Sequence, residues 1–318
     1  MFSRSKQLTA TVLVSLLSIA SAVFAADTPA QLRIGYQKGS VALVMAKSEQ
    51  LLEKKFPQTT ITWTEFPAGP QMLEALNVGS IDLASTGEVP PIFAQAAGGS
   101  LVYVGSEPPK PKAEVILVQK NSAIKSVTDL KGRKVAFQKG SSAHNLLLLQ
   151  LQKAGLKFSD IRPVYLTPAD ARAAFVQGDV DAWAIWDPYY SAALLQGNAR
   201  VLADGSNISR AGSFYLAARS FAEQHSPFLR QVLQVLTQAE ALTRTQRARS
   251  ITLLAKNLGL PEKVIASYLD HRPEITITPV DEATLKAQQK TADLFYQNHL
   301  IPVPVDVASH IWHFPSAQ

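Results

Sequence analysis

The segments "IGYQKGSVALVMA", from Ile34, and "VAFQKGSSAHNLLLL", from Val135, are close copies of each other. Each runs from β-forming residues through Gln-Lys-Gly-Ser into an apolar stretch with helical spacing. The parallel continues downstream. In the first copy "SVALVMAKSEQLLEKKF" reads as a helix ending near Pro57, then "TTITWTEF" as a strand. "AGPQMLEALNVG" follows as a helix stopped by Gly79, and "SIDLASTGE" as a short buried strand. In the second copy "SSAHNLLLLQLQKAG" is a helix stopped by Gly155 and "DIRPVYL" a strand. "TPADARAAFVQG" is a helix with Thr167 as its cap, Pro168 at its first position and Gly178 at its end, before a strand "DVDAWAIWD". Chance explains one shared loop. It does not explain Gly79-Ser-Ile-Asp82 and Gly178-Asp-Val-Asp181 keeping the same register.

Each half therefore reads strand, loop, helix, strand, helix, strand, the alternation of parallel strands with helices on both faces. The expected fold is α/β with two similar lobes. "SEPPKPKAEVILV" contains Pro108, Pro109 and Pro111, which cannot continue a helix or a central strand, and reads as a crossover between lobes. A second polar stretch, "ADGSNISRAGSFYLAAR", leads into "SFYLAAR", a strand returning to the first lobe. Mostly helices follow, from Phe221 to about Gln297, broken at Gly259-Leu-Pro261 and at "HRPEITITPV". Residues 26–110 are expected to form the first part of lobe 1, 111–212 lobe 2, and 213–318 the return to lobe 1 with the C-terminal helices. Two crossings make a hinge.

The first 25 residues stand apart. Arg4 and Lys6 precede an apolar run that ends in Val-Phe-Ala at Ala25, the pattern of a secretory signal peptide cleaved near Ala25 or Ala26. The run is short for a spanning anchor. The chain has no cysteine, hence no disulfide, no thiol chemistry and no lipid attachment at the cleavage site. An unanchored exported protein is retained by an outer membrane, so a periplasm is the expected compartment. Net charge is +6, and removing two leader positives leaves 29 basic against 25 acidic residues, about +4. No basic run points to nucleic acid.

Ligands of open α/β sheets sit beyond the carboxyl ends of the strands, where both Gln-Lys-Gly-Ser turns fall and open a helix. Helix N-termini carry unpaired N–H groups and positive dipole ends. Gly39 and Gly140 let backbone approach a ligand, and Ser40, Ser141 and Ser142 add donors. Two such ends facing across a cleft would grip one small oxyanion. The plainer alternative is that both turns are only helix caps. Thr86 and Gly87 end a strand and are expected to line the cleft, with Gln37. Glu88 and Asp187 occupy equivalent strand ends, as structural carboxylates or as partners for a ligand ammonium. Trp186 covers an apolar tail or belongs to the core, Trp183 is expected in the core, and His144 either reaches the anion or caps its helix. Lys38 and Lys139 supply long-range field or are simply solvated.

Catalysis fits poorly. There is no HExxH, GxSxG or cysteine nucleophile, and no P-loop or GxGxxG for a nucleotide. The six histidines show no metal-ligand spacing in the repeated loops, so no catalytic residue, metal or cofactor is expected.

Together "LRIGYQKGS", "FPAGPQMLEALNVGSIDLASTGEVPPIFAQAAG", "EPPKPKAEVILV", "VAFQKGSS", "YLTPADARAAF", "VDAWAIWDPYYSAALLQ" and "SFYLAAR" resemble the periplasmic aliphatic sulfonate-binding proteins of ABC importers. These are relatives of taurine and nitrate receptors. The resemblance implies a periplasmic-binding-protein-like fold that closes on an alkanesulfonate and delivers it, as a monomer, to an inner-membrane permease and its ATPase. It places ligand contacts at Gln37 to Ser40, Thr86 to Glu88, Gln138 to His144 and Trp186 to Asp187. Taurine, another small oxyanion, or an exported enzyme acting on a sulfur oxyanion are the alternatives.

Overall fold

The computed structural model describes residues 28–315, so the expected leader and its cleavage site lie outside the described residues. The chain begins with β1 (Gln31–Tyr36), α1 (Val41–Ser48), α2 (Leu51–Lys55), β2 (Thr60–Glu65) and α3 (Gly69–Asn77). It continues with β3 (Leu83–Thr86), α4 (Val89–Ala96) and β4 (Leu101–Ser106) before crossing over. The second lobe contains β5 (Glu114–Gln119), β6 (Lys134–Phe137), α5 (Ser142–Lys153), β7 (Arg162–Tyr165) and α6 (Pro168–Gln177). It ends with β8 (Ala182–Trp186), α7 (Tyr189–Leu195) and β9 (Ala199–Asp204). The return strand β10 (Phe214–Ala218) precedes α8 (Arg219–Gln224), α9 (Ser226–Thr245), α10 (Arg247–Leu258), α11 (Glu262–Asp270) and α12 (Glu282–Gln297).

Two five-stranded sheets result, ordered β2-β1-β3-β10-β4 and β7-β6-β8-β5-β9. The repeat is visible atom by atom. Asp82 accepts the Arg33 backbone N–H at 2.8 Å, and Asp181 accepts the Lys134 backbone N–H, also at 2.8 Å. These carboxylates pin the start of β1 to that of β3 and the start of β6 to that of β8, the first and third strands of each repeat. Gly79 and Gly178, both at positive φ, turn the chain out of α3 and α6. Thr167 caps α6 by accepting the Asp170 N–H.

Both faces of each sheet are buried. Along β10, Tyr215 and Ala217 enter the core under α1, α9, α10 and α11, while Phe214 and Leu216 enter the core under α3, α4 and α12. Along β8, Ala182 and Ala184 face α5, and Trp183 and Ile185 face α6 and α7. This two-residue alternation explains why these strands read as continuous apolar runs. Trp183 is fully buried against Phe175.

The sheets are mixed rather than wholly parallel. β10 runs antiparallel to β3 and β4, and β5 runs antiparallel to β8 and β9. A strand arriving from the other lobe starts at the hinge, where the repeated strands end, so it must run the opposite way. "AEVILV", taken in sequence as part of the crossover, supplies β5 itself. The expected single helix up to Pro57 is also broken. Gln50 adopts φ 51°, and the turn brings Leu52 and Phe56 into the same core as α1.

The crossovers are tied together. Glu107 N–H bonds the Ser213 carbonyl at 2.8 Å, extending the β4–β10 ladder, and Gly205 N–H bonds the Pro111 carbonyl at 2.8 Å, extending β5–β9. Lys110 Nζ donates to Ser213 Oγ at 2.6 Å between them. Among the described residues no helix is long and apolar enough to cross a membrane.

Candidate functional site

The residues that follow β1 and β6, and those that end β3 and β8, line one cavity of about 80 Å³ between the lobes. At roughly 10–15 Å³ per water on this measure, that is room for a handful of heavy atoms. Gln37, Gly39, Ser40, Thr86, Gly87 and Glu88 face it from lobe 1, and Ser141, Ser142, Trp186 and Asp187 from lobe 2.

The two Gln-Lys-Gly-Ser turns share a closing bond, from Ser40 N–H to the Gln37 carbonyl at 2.9 Å and from Ser141 N–H to the Gln138 carbonyl at 3.3 Å. Their serines then differ. The Ser141 hydroxyl caps α5, accepting the His144 N–H at 3.4 Å and donating to the Gln138 carbonyl at 2.7 Å. The Ser40 hydroxyl makes no cap bond to α1. Among the described residues the first-turn amides of Ala42 and Leu43 in α1, and of Ser142 and Ala143 in α5, form no hydrogen bond. These are the orphan donors every helix start leaves, and of the four residues Ser142 lines the cavity. From α11, Tyr268 fixes the first turn by donating to the Gly39 carbonyl at 2.6 Å.

The lobes touch across the cavity. A β-carbon on Gly87 would stand 2.7 Å from Ser142 Cβ, and one on Gly39 would stand 3.1 Å from the Asp187 carbonyl oxygen. Only glycine permits the first approach. Asn145 Nδ2, on α5, donates to Glu88 Oε1 at 2.8 Å.

Gly140 and His144 sit outside the cavity lining. Gly140 holds φ +72°, and its α-carbon faces the Phe93 ring. His144 is fully buried, with Phe137, Phe158 and, from the opposite lobe, Phe295 around its ring. Its Nδ1 accepts the Gly140 N–H at 3.3 Å. Burial, helped by the Lys139 charge, drives its pKa down to about 3, so the imidazole is neutral. Lys38 and Lys139 are likewise absent from the lining; Lys139 lies over the Tyr165 ring.

Four carboxylates line the cavity, Glu88, Glu107, Glu114 and Asp187, against three cations, Lys110, Arg210 and Arg272. Every one of these cations is engaged. Arg210 Nη1 bridges Glu88 Oε1 at 3.2 Å and Glu114 Oε2. Lys110 pairs with Glu107 at 2.7 Å, and Arg272 with Glu240 at 2.7 Å. Burial raises the Glu88 carboxyl above its ordinary range against the pull of Arg210. Burial also works against the Arg210 charge, but Glu114 and Glu88 hold it protonated. For Glu107 burial is outweighed by Lys110 and Arg272, and its carboxyl titrates below the usual range. Burial raises Asp187, in part offset by His271, 2.8 Å away, and by Ser191 N–H.

Arg210, Arg272 and Tyr268 carried no periodic or motif signal, and Glu107 and Glu114 lie in "EPPKPKAEVILV" without a site role attached to them. They come from the crossovers, the start of β5, α11 and the turn after it, and only folding brings them to the cavity. Lys110, between the crossover prolines, was visible as a hinge residue but not as a cavity residue.

A family model described as NMT1/THI5 like matches residues 65–250. The aliphatic sulfonates-binding protein of Escherichia coli strain K12 is 67% identical over 301 residues, 94% of each chain. The chain belongs to the aliphatic sulfonate-binding proteins. The crystal structure of the periplasmic aliphatic sulphonate binding protein SsuA from Escherichia coli matches this family member with TM-score 0.83 and 69% identity over 89% of this chain and 98% of that one. The alkanesulfonate-binding protein SsuA from Xanthomonas axonopodis pv. citri, bound to MOPS, matches with TM-score 0.88 and 57% identity over the same shares.

Proposed function

We propose that this protein captures aliphatic sulfonates in the periplasm, as a monomer, and hands them to the permease and ATPase of an ABC importer for sulfur acquisition. The observation that carries this reading is the pair of helix starts, α1 and α5, meeting at one interlobe cavity whose charged side chains are already paired. A sulfonate is fully ionised near neutral pH and has no proton to donate, so a site of donors satisfies it completely. A protonated phosphate would leave its O–H facing donors. Gln37, Ser40, Thr86, Gly87 and Ser142 are the proposed contacts to the head group, and Trp186 the cover for the alkyl tail. The ligand draws the lobes together by contacting both, through the crossovers around Lys110 and Gly212.

Glu88 is held by Arg210 and Asn145, and Asp187 by His271 and Ser191. Both oxygens of Asp187 are engaged, whereas both bonds to the Glu88 side chain fall on Oε1, so its Oε2 is the one carboxylate oxygen of this pair open to an amine and taurine stays the alternative guest. The relatives at 57–69% identity are described as binding proteins, which supports a receptor over an enzyme. Calorimetry with ethanesulfonate, followed by mass spectrometry of the released ligand, tests this. One unaltered ligand per chain is expected; a chemically changed product, or no heat with any alkanesulfonate, overturns the reading.

A further inference from the structure

We propose that the carboxylates around Arg210 make this cleft a charge selector, admitting one negative charge and rejecting two. The proposal rests on the anion-binding reading of the cavity and adds a specificity determinant to it, the Glu88–Arg210–Glu114 cluster.

The count of charges leads to this. The cavity wall has one carboxylate more than it has cations, and behind it Glu240, nearly fully buried, claims Arg272. Arg210 is shared between two carboxylates through a single nitrogen, Nη1. No cation of the wall is therefore left as the counter-charge of a guest. What remains are dipoles. Each helix start supplies the equivalent of roughly half a positive charge, so α1 and α5 together offer about one. That balances a sulfonate. A dianion of the same shape brings a second charge that only the surplus carboxylates face, in an enclosed space where screening by water is weak. Repulsion from a wall carboxylate doubles with the guest's charge while the number of donors stays fixed.

Glu114 is the member to change. It sits at the start of β5, keeps about 15% of its side chain exposed, and is one of two partners competing for Arg210. Replacing it with glutamine leaves Arg210 paired one-to-one with Glu88 and removes a negative charge without removing volume.

The test uses two guests that share a sulfur–oxygen head group and differ in charge and by one methyl, methyl sulfate and sulfate, with ethanesulfonate as reference, each titrated calorimetrically at constant ionic strength. Burial of the methyl accounts for only about fourfold of a preference. In the wild-type protein methyl sulfate is expected to bind roughly 100-fold more tightly than sulfate, and Glu114→Gln to narrow that ratio about tenfold, chiefly by tightening sulfate. Equal affinity for the two guests in the wild type overturns charge selection while leaving sulfonate capture intact. An unchanged ratio in a folded Glu114→Gln protein removes Glu114 from the role. The wild-type comparison stands even if that variant does not fold. Failure of both ethanesulfonate and methyl sulfate to bind overturns the capture reading itself.

Discussion

Gly87 of the first lobe lies so close to Ser142 of the second that a β-carbon on it would stand 2.7 Å from the serine's own β-carbon and 2.9 Å from its hydroxyl oxygen. The two residues sit at the end of β3 and the start of α5, the positions where the repeat brings each lobe's backbone to the cavity. Their contact exists only while the lobes are together.

Gly87→Ala therefore separates closure from folding. Within lobe 1 the added methyl costs little, and the melting temperature of the ligand-free protein is expected to stay within about 2 °C of wild type. Affinity for ethanesulfonate is expected to fall at least about tenfold, or 1.4 kcal/mol. Small-angle scattering at saturating ligand should show the radius of gyration remaining near its ligand-free value. Wild-type affinity in this variant would remove the contact from the closing mechanism.

Arg210 compensates two carboxylates, one of them almost fully buried. Arg210→Met takes the counter-charge from a buried Glu88 and is expected to cost about 3–5 kcal/mol in urea unfolding. Adding Glu88→Gln removes the orphaned charge and should recover at least about 1 kcal/mol, a coupling that a double-mutant cycle measures. Additive losses would mean that the pair does not interact.

His144 gives a pH signature. Its pKa falls from 6.5 to about 3 on folding. The unfolded chain therefore binds more protons than the folded one between these values, and stability rises with pH across that window. The contribution is complete above pH 6.5 and is lost as pH falls toward 3. Between pH 7 and pH 5 this one group should remove about 2 kcal/mol of unfolding free energy. His144→Gln is expected to flatten that slope, whatever it costs at either pH, and denaturant midpoints at the two pH values check it.

Trp186 is half-buried at the cavity wall, with its ring edge near Gly39. If it covers the tail, each further buried methylene adds up to about 0.8 kcal/mol to binding in the wild type. Trp186→Ala should reduce that increment across methane-, ethane- and propanesulfonate while changing the methanesulfonate affinity least. A parallel loss for all three would assign the ring to holding the turn rather than the tail.

The sequence by itself determined the repeat, and with it the two α/β lobes, the helix starts at Ser40 and Ser141, the αL stops at Gly79 and Gly178, and the return strand at Phe214. These are local properties: period, cap chemistry and the backbone freedom of glycine act within a few residues and leave their mark in composition. Strand direction was decided by tertiary structure, because whether β5 and β10 run with or against their neighbours depends on which end of the sheet the crossover enters. So was the division of labour between the two turns. Ser40 keeps its hydroxyl off its helix and Ser141 spends it on the cap, and His144 turns into an aromatic cluster completed by Phe295, 151 positions away in the chain. The charge pattern of the cavity was the least legible part. Arg210 belongs to one crossover and Glu107 and Glu114 to the other, and their energies come from mutual distance and exclusion of water, which no spacing in a linear chain encodes.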